Sequence, residues 1–195
     1  MTVTKQNIGD GYAEAVICNS GNANTCNANG IEIAQTMCKL VADALKIRPD
    51  DVIVASTGVI GQPLDIEPIA KGIPALASQL ACDGTNAAEA IMTTDTVKKE
   101  AAVRFMLDGK ECTLGGIAKG SGMIHPNMAT MLVFLTTDVK ISPALLQKAI
   151  SEDVKTSFNM VSIDGDTSTN DMLSILANGR AENREIVEED LSLIH

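Results

Sequence analysis

Among the side chains in this sequence that could carry chemistry are the Thr130 hydroxyl, two histidines and five cysteine thiols. Thr130 ends a glycine-rich segment, Lys119-Gly-Ser-Gly-Met-Ile-His-Pro-Asn-Met-Ala-Thr130, and comes directly before an apolar run. A hydroxyl becomes an effective nucleophile only when a base activates it. Taken alone, the pattern favours a loop that leads into a strand, in which Thr130 serves for its β propensity.

The histidines and cysteines offer weaker evidence for a site. His125 could pair with a nucleophilic serine or cysteine, but a lone histidine before a proline is more often a loop residue. The cysteine count is odd and no two cysteines have C-x-x-C spacing. We therefore predict neither a zinc site nor a disulfide framework, and expect buried, reduced thiols.

A second polar turn, Ser56-Thr57-Gly58, follows the short apolar run at residues 52–55. Glycine in such a turn lets the backbone approach other groups closely. The same residues can equally mark nothing more than the end of a strand.

Composition limits the classes of partner. The chain has 195 residues and a formal charge of −10, so it lacks the excess of basic residues that nucleic acid binding requires. Aromatic residues make up only 2%, which argues against a base-stacking platform. The sequence contains neither an apolar stretch long enough to span a membrane nor a secretory leader, so we predict a cytoplasmic location.

Strands and helices must alternate to position these groups. Apolar runs predict strands at residues 13–18, 52–55 and 131–135, and alternation around Asp108-Gly109 predicts a hairpin at 103–107 and 112–114. A glycine-rich loop is expected at 115–122. Helical spacing predicts helices at 31–45, 63–80, 86–92, 142–155 and 171–177. This order indicates a single α/β or α+β domain built as a layered sandwich.

The run Gly120-Ser-Gly-Met-Ile-His-Pro-Asn-Met-Ala-Thr-Met131 resembles the self-cleavage segment of the ornithine acetyltransferase family, the bifunctional glutamate N-acetyltransferases of arginine biosynthesis. The likeness covers nearly the whole chain. Four further blocks resemble the family in the same order: Asn19-Ser-Gly-Asn-Ala-Asn24, Ala55-Ser-Thr-Gly-Val-Ile-Gly61, Met92-Thr-Thr-Asp-Thr96 and the segment from Phe158 to Asp171.

The resemblance implies the family's mixed or antiparallel sheet with helices, and a cut between Ala129 and Thr130. The cut divides the chain into residues 1–129 and 130–195, which stay associated. Thr130 then becomes the nucleophile, with its own α-amino group as the base. By the same likeness, Thr57 and Gly58 match the oxyanion-hole pair, and the substrate-binding positions fall on Thr96, Lys119 and Thr130.

The implied reaction is acetyl transfer in two steps. N-acetylornithine acetylates Thr130 and releases ornithine, and glutamate then takes the acetyl group. No metal or organic cofactor is required, although some members accept acetyl-CoA as a co-substrate, and a homo-oligomer is expected. Family chains are about twice as long, so this chain is expected to lack a region at each end. The alternatives are a non-catalytic remnant, a complementing fragment, and a related self-processing amidase or aminopeptidase.

Overall fold

The computed structural model describes residues 1–121, 131–162 and 170–193. The chain forms two compact units, Met1–Thr93 and Thr94–His195. The α-helices are α1 (Thr2–Asn7), α2 (Gly30–Leu45), α3 (Glu67–Ser78), α4 (Thr85–Ala90) and α5 (Pro143–Thr156). The strands are β1 (Ala15–Asn19), β2 (Val52–Ser56), β3 (Lys99–Leu107), β4 (Lys110–Lys119), β5 (Leu132–Thr137) and β6 (Met172–Ala177).

The first unit is built on a two-stranded parallel sheet of β1 and β2. Helix α2 covers this sheet with a buried stripe at helical spacing, because residues three and four apart share one face of a helix. The short helix α1 supports β2, since the Thr4 hydroxyl donates to the Val54 carbonyl at 2.7 Å. The core of this unit includes Val3, Ile33, Met37, Cys38, Val41, Val52, Val54, Leu64 and Ile73.

The second unit holds a four-stranded mixed sheet in the order β3-β4-β5-β6. The first two pairings are antiparallel and the last, β5 with β6, is parallel. Asp108 and Gly109 both have positive φ, 54° and 74°, as the tight turn between β3 and β4 requires. Helix α5 begins as predicted, with the Ser142 hydroxyl accepting from the Leu145 N–H.

Most of the predicted elements are confirmed, and two predictions are wrong. Residues 172–177 form strand β6 and not a helix, because this short apolar run pairs with β5 along its whole length. Residues 115–119 continue β4 and do not form a loop, since Gly115 and Gly116 pair with β3 and β5. Helix α1 was not predicted.

The predicted fold class, α/β with a mixed sheet and helices, is confirmed. The expectation of buried thiols holds for Cys38 and Cys112, but Cys26 and Cys82 are exposed. Among the residues that the structure describes, none of the helices combines the length and the hydrophobicity needed to cross a membrane.

Candidate active site

The Thr57-Gly58 turn follows β2 and packs against the asparagine-rich loop after β1. Thr57 is buried, and its N–H donates to the Asn19 carbonyl at 2.8 Å. Gly58 has a φ of 121°, and a Cβ at this position would lie 2.5 Å from the carbonyl oxygen of Gly21. Only glycine is compatible with both the dihedral angle and the close approach. The fit explains why glycine follows Thr57.

The asparagines of the loop hold its shape through hydrogen bonds from their side chains to the backbone. The Asn19 amide donates to the Asn22 carbonyl at 2.7 Å, and its Oδ1 accepts from the Gly21 N–H. Asn22 in turn donates to the Gln62 carbonyl at 3.0 Å. The loop therefore acts as a rigid support for the turn at Thr57 and Gly58.

The backbone at Gly58 is compatible with an oxyanion donor. On either side of it, the Thr57 N–H bonds to Asn19 and the Val59 N–H lies 3.4 Å from the Gly21 carbonyl. The Gly58 N–H donates to no backbone carbonyl of residues 1–121, 131–162 or 170–193. A backbone N–H on a fixed turn can stabilise an anion without reorganisation.

A second polar region lies in the other unit, where the end of β4 and the starts of β5 and β6 lie side by side. Lys119 at the end of β4 pairs with Leu132 at the start of β5, which pairs with Met172 at the start of β6. Lys119 is only 3% exposed, so a charged side chain is held within the unit. Charges are rarely buried without a structural or functional reason.

The bend after Lys119 is fixed by the segment at 94–95. Asp95 is buried, accepts from the Gly120 N–H at 2.9 Å and pairs with the Lys99 ammonium at 2.5 Å. The Thr94 and Ser121 hydroxyls lie 2.6 Å apart. These contacts fix the backbone of the two residues that follow β4.

The chain returns at Met131, where its backbone is bound on both sides. Its N–H donates to Asp171 Oδ1 at 3.0 Å, and its carbonyl accepts from the Met172 N–H at 3.1 Å. Burial raises the pKa of the Asp171 carboxyl to about 7, while the hydrogen bond from Met131 and the charge of Lys119 act in the opposite direction. Desolvation is thus the dominant effect on this acid.

The predicted site residues are distributed over both units. Thr57 and Gly58 lie in Met1–Thr93, and Lys119 and an exposed Thr96 lie in Thr94–His195. Ala129 and Thr130 lie outside the described residues.

Sequence reasoning missed Asp95 and Asp171. The only signal for either residue is an acid placed beside a strand, which is too common to identify a site. The described parts of the chain contain no group of three or more histidine, cysteine or acidic side chains that could hold a metal ion.

Comparison with known proteins gives consistent matches. The model of the ArgJ family matches residues 1–194. The arginine biosynthesis bifunctional protein ArgJ of Caldanaerobacter subterraneus subsp. tengcongensis is 53% identical over 180 residues, which are 91% of this chain and 45% of that protein. Its counterpart in Symbiobacterium thermophilum is 51% identical over 189 residues, 96% of this chain and 47% of that protein. The chain therefore spans about half the length of the curated relatives it matches.

Two solved structures share the fold. The crystal structure of the ArgJ protein of Bacillus halodurans matches with a TM-score of 0.59 and 44% identity, covering 66% of this chain and 69% of that one. The ornithine acetyltransferase of Mycobacterium tuberculosis, solved in complex with ornithine, matches with a TM-score of 0.55 and 30% identity, covering 65% and 68%. The family match over nearly the entire length shows that the chain belongs to the ArgJ family.

Proposed function

We propose that this chain carries the nucleophile and part of the acyl-binding site of a self-cleaving enzyme that transfers an acetyl group from N-acetylornithine to glutamate. The observation that carries the proposal is the family match over residues 1–194, which includes Thr130 and its flanking segments. The Thr57-Gly58 turn supports it, since that turn is fixed in a form that can donate an N–H to an oxyanion. The proposed location is the cytoplasm.

Self-cleavage is proposed to begin when the Thr130 hydroxyl attacks the carbonyl carbon of Ala129. The carbon–nitrogen bond then breaks, the nitrogen of Thr130 gains a proton, and an ester joins Ala129 to the Thr130 oxygen. Water hydrolyses this ester, leaving a carboxyl group on Ala129 and a free hydroxyl on Thr130. The new α-amino group has a reference pKa of about 7.7–8.0, which suits it as a base near neutral pH.

Transfer is proposed to follow by two displacements. The α-amino group takes the hydroxyl proton as the Thr130 oxygen attacks the acetyl carbonyl of N-acetylornithine, and ornithine leaves with that proton. The amine of glutamate then attacks acetyl-Thr130, forms N-acetylglutamate and restores the hydroxyl. Gly58 and Thr57 are assigned to the oxyanion, and Thr96 and Lys119 to the substrate. Lys119 supplies a positive charge that can attract a carboxylate.

The first test is an intact mass spectrum of the purified protein. We expect two pieces, residues 1–129 and 130–195, in the wild type, and slower cleavage in Thr130→Ser, which keeps a hydroxyl. Thr130→Ala should stay uncut because it has no oxygen to attack with. The proposal would be contradicted if the wild type stayed uncut both alone and after the remaining region of a relative is added.

The alternative of a non-catalytic remnant or complementing fragment rests on the length of the chain, about half that of its relatives. An assay for transfer of labelled acetyl to glutamate distinguishes this alternative from an active enzyme. The assay uses N-acetylornithine as the first donor and acetyl-CoA as a second donor. Activity that appears only after the remaining region is added would identify a complementing fragment. Hydrolysis of peptide amides without acetyl transfer would favour a self-processing amidase. Measurement of the molecular mass in solution would show whether the two cleavage pieces stay associated and whether whole copies of the chain associate.

A further inference from the structure

Strand β3 ends the mixed sheet and has no strand on its outer side among the residues that the structure describes. It pairs with β4 along all nine of its residues, from Lys99 to Leu107, without a bulge. In an antiparallel pair, alternate residues direct their N–H and C=O groups toward the partner strand, and the others direct them away from it. The outward groups of β3 are therefore placed to bind a further strand.

The side chains of β3 leave both faces of the strand accessible. Seven of the nine are exposed, and only Leu107 is buried. Val103 and Met106 are both more than half exposed, and they lie on opposite faces because side chains alternate along a strand. Proteins usually protect an edge strand by keeping it short or by placing a proline or a bulge in it, and β3 has none of these protections.

Charged side chains are another common protection of an edge strand, but on β3 their arrangement is self-complementary. Glu100 and Arg104 are four residues apart, so they lie on the same face of the strand. On its own chain, Glu100 contacts Lys98 at 3.4 Å. Arg104 contacts Glu111 at 3.7 Å. Exposed ion pairs of this kind contribute little to stability, so their members can also contact another chain.

A two-fold axis through Ala102 matches these charges between two copies of the chain. When two copies of β3 run antiparallel about that axis, Glu100 of each copy lies directly opposite Arg104 of the other. Opposite charges that face each other across a sheet stabilise the pairing. On the other face, Val103 of each copy lies opposite Ala101 of the other, so that its exposed side chain gains an apolar neighbour.

The neighbouring registers lack this complementarity. An axis through Ala101 would place Lys98 opposite Arg104, and like charges directly opposite each other are destabilising. An axis through Val103 would leave Glu100 without a charged residue opposite it. The sequence of β3 therefore favours one register.

We propose that two copies of this chain pair antiparallel along β3 about a two-fold axis at Ala102, which joins their four-stranded sheets into one. The proposal names the partner as a second copy of the chain and the contact as an isologous one, in which the same strand serves both copies. It does not depend on the proposed acetyl transfer, because β3 lies before Thr130 and is the same in the cut and the uncut chain.

The test measures dimer dissociation constants of charge variants of the full chain by analytical ultracentrifugation. Glu100→Arg and Arg104→Glu each turn two opposite-charge contacts of the proposed dimer into like-charge contacts. We expect each to raise the dissociation constant by about tenfold or more. Glu67→Arg and Lys71→Glu are matched controls, because they change the net charge equally at an exposed ion pair of α3, in the other unit. The controls should stay within about twofold of the wild type.

A mixture of the two variants gives a readout that is specific to this register. When Glu100→Arg pairs with Arg104→Glu, opposite charges face each other again at both positions, so the mixture should dimerise nearly as well as the wild type. The inference would be overturned by a wild type that stays monomeric as its concentration rises, by single variants that dimerise like the wild type, or by a mixture that stays monomeric. None of these outcomes affects the proposed cut, and thermal unfolding shows whether each variant is folded.

Discussion

At Gly58 the backbone alone decides which residue is possible. Its φ of 121° is unfavourable for any residue with a Cβ, and the carbonyl of Gly21 occupies the space where that atom would lie. A turn that is fixed this tightly directs its N–H with little freedom, which is the property that oxyanion stabilisation requires. The unusual backbone conformation is confined to one glycine, and the asparagine-rich loop holds that glycine in place.

Alanine substitutions at Gly58 and Gly61 distinguish the energetic cost of a close contact from that of an unfavourable φ. Gly61 also has a positive φ, 83°, but nothing lies within 4 Å of its would-be Cβ. We expect Gly61→Ala to lower the free energy of unfolding by roughly 1–2 kcal/mol, from the dihedral angle alone. Gly58→Ala should cost roughly 3 kcal/mol or more, because the clash with Gly21 is added. Urea unfolding of both variants measures the difference, and equal losses would show that the contact is relieved by movement of the loop.

Asp171 should make stability depend on pH. Its pKa is raised from 3.8 to about 7, so the folded state binds its proton more tightly than the unfolded chain does. Ionisation therefore destabilises the fold, and the unfolding free energy should fall as the pH rises from about 4 to about 7. Since one pKa unit corresponds to about 1.4 kcal/mol, the contribution reaches up to roughly 4 kcal/mol.

The Asp171→Asn variant isolates this contribution. Asparagine does not titrate, so the stability of the variant relative to the wild type should increase between pH 5 and pH 8. Denaturant midpoints at the two pH values measure it, with Asp51→Asn, at a buried acid of the other unit, as the control. A constant difference between wild type and Asp171→Asn would mean that Asp171 has an ordinary pKa in the folded chain.

Among the elements, β4 connects the hairpin to the candidate site, and its two central glycines have different roles. A Cβ on Gly116 would lie 2.3 Å from Leu135 Cδ2 and 3.1 Å from the Phe134 carbonyl oxygen. A Cβ on Gly115 would make only ordinary contacts, 3.7 Å from the Ala102 Cβ. Gly116 thus leaves room for the Leu135 side chain, whereas Gly115 is replaceable.

We expect Gly116→Ala to destabilise the second unit by about 1–3 kcal/mol, the usual cost of overpacking. Gly115→Ala should be neutral or stabilise by roughly 0.5–1 kcal/mol, because it reduces the freedom of the unfolded chain. Hydrogen exchange of the amides in β4 and β5 localises the effect. Similar stabilities for the two variants would show that the Leu135 side chain adjusts freely.

Local pattern predicted most elements, and long-range pairing explains the rest. Helix α2 was predictable because its apolar spacing is repeated over 16 residues. Strand β6 was missed because six residues are too few to distinguish the two periodicities, and its partner β5 lies about 40 residues earlier. The contact between Asp171 and Met131 could not be predicted for the same reason, since it depends on that pairing. Thr57, Gly58 and Thr130 were predicted from family motifs, and their roles stay predictions.

At the scale of the whole molecule, the chain spans about half the length of its relatives. Among the described residues, the edge strand β3 has no partner on its outer side. Strand β3 ends the order β3-β4-β5-β6 and pairs only with β4 there. Its side chains are largely exposed, including Val103 at 55% and Met106 at 63%. Open edges with apolar side chains favour association with another strand or another chain.

We therefore expect this chain to self-associate through β3, and sedimentation velocity at increasing protein concentration measures the effect. Val103→Lys should shift the distribution toward the monomer, because a lysine on an edge strand disfavours pairing with a further strand. Val97→Lys is the matched control, an exposed apolar residue that precedes β3. Because the chain carries a charge of −10, added salt should strengthen association by screening repulsion. A monomer at all concentrations in the wild type would show that the β3 edge does not drive assembly of this chain.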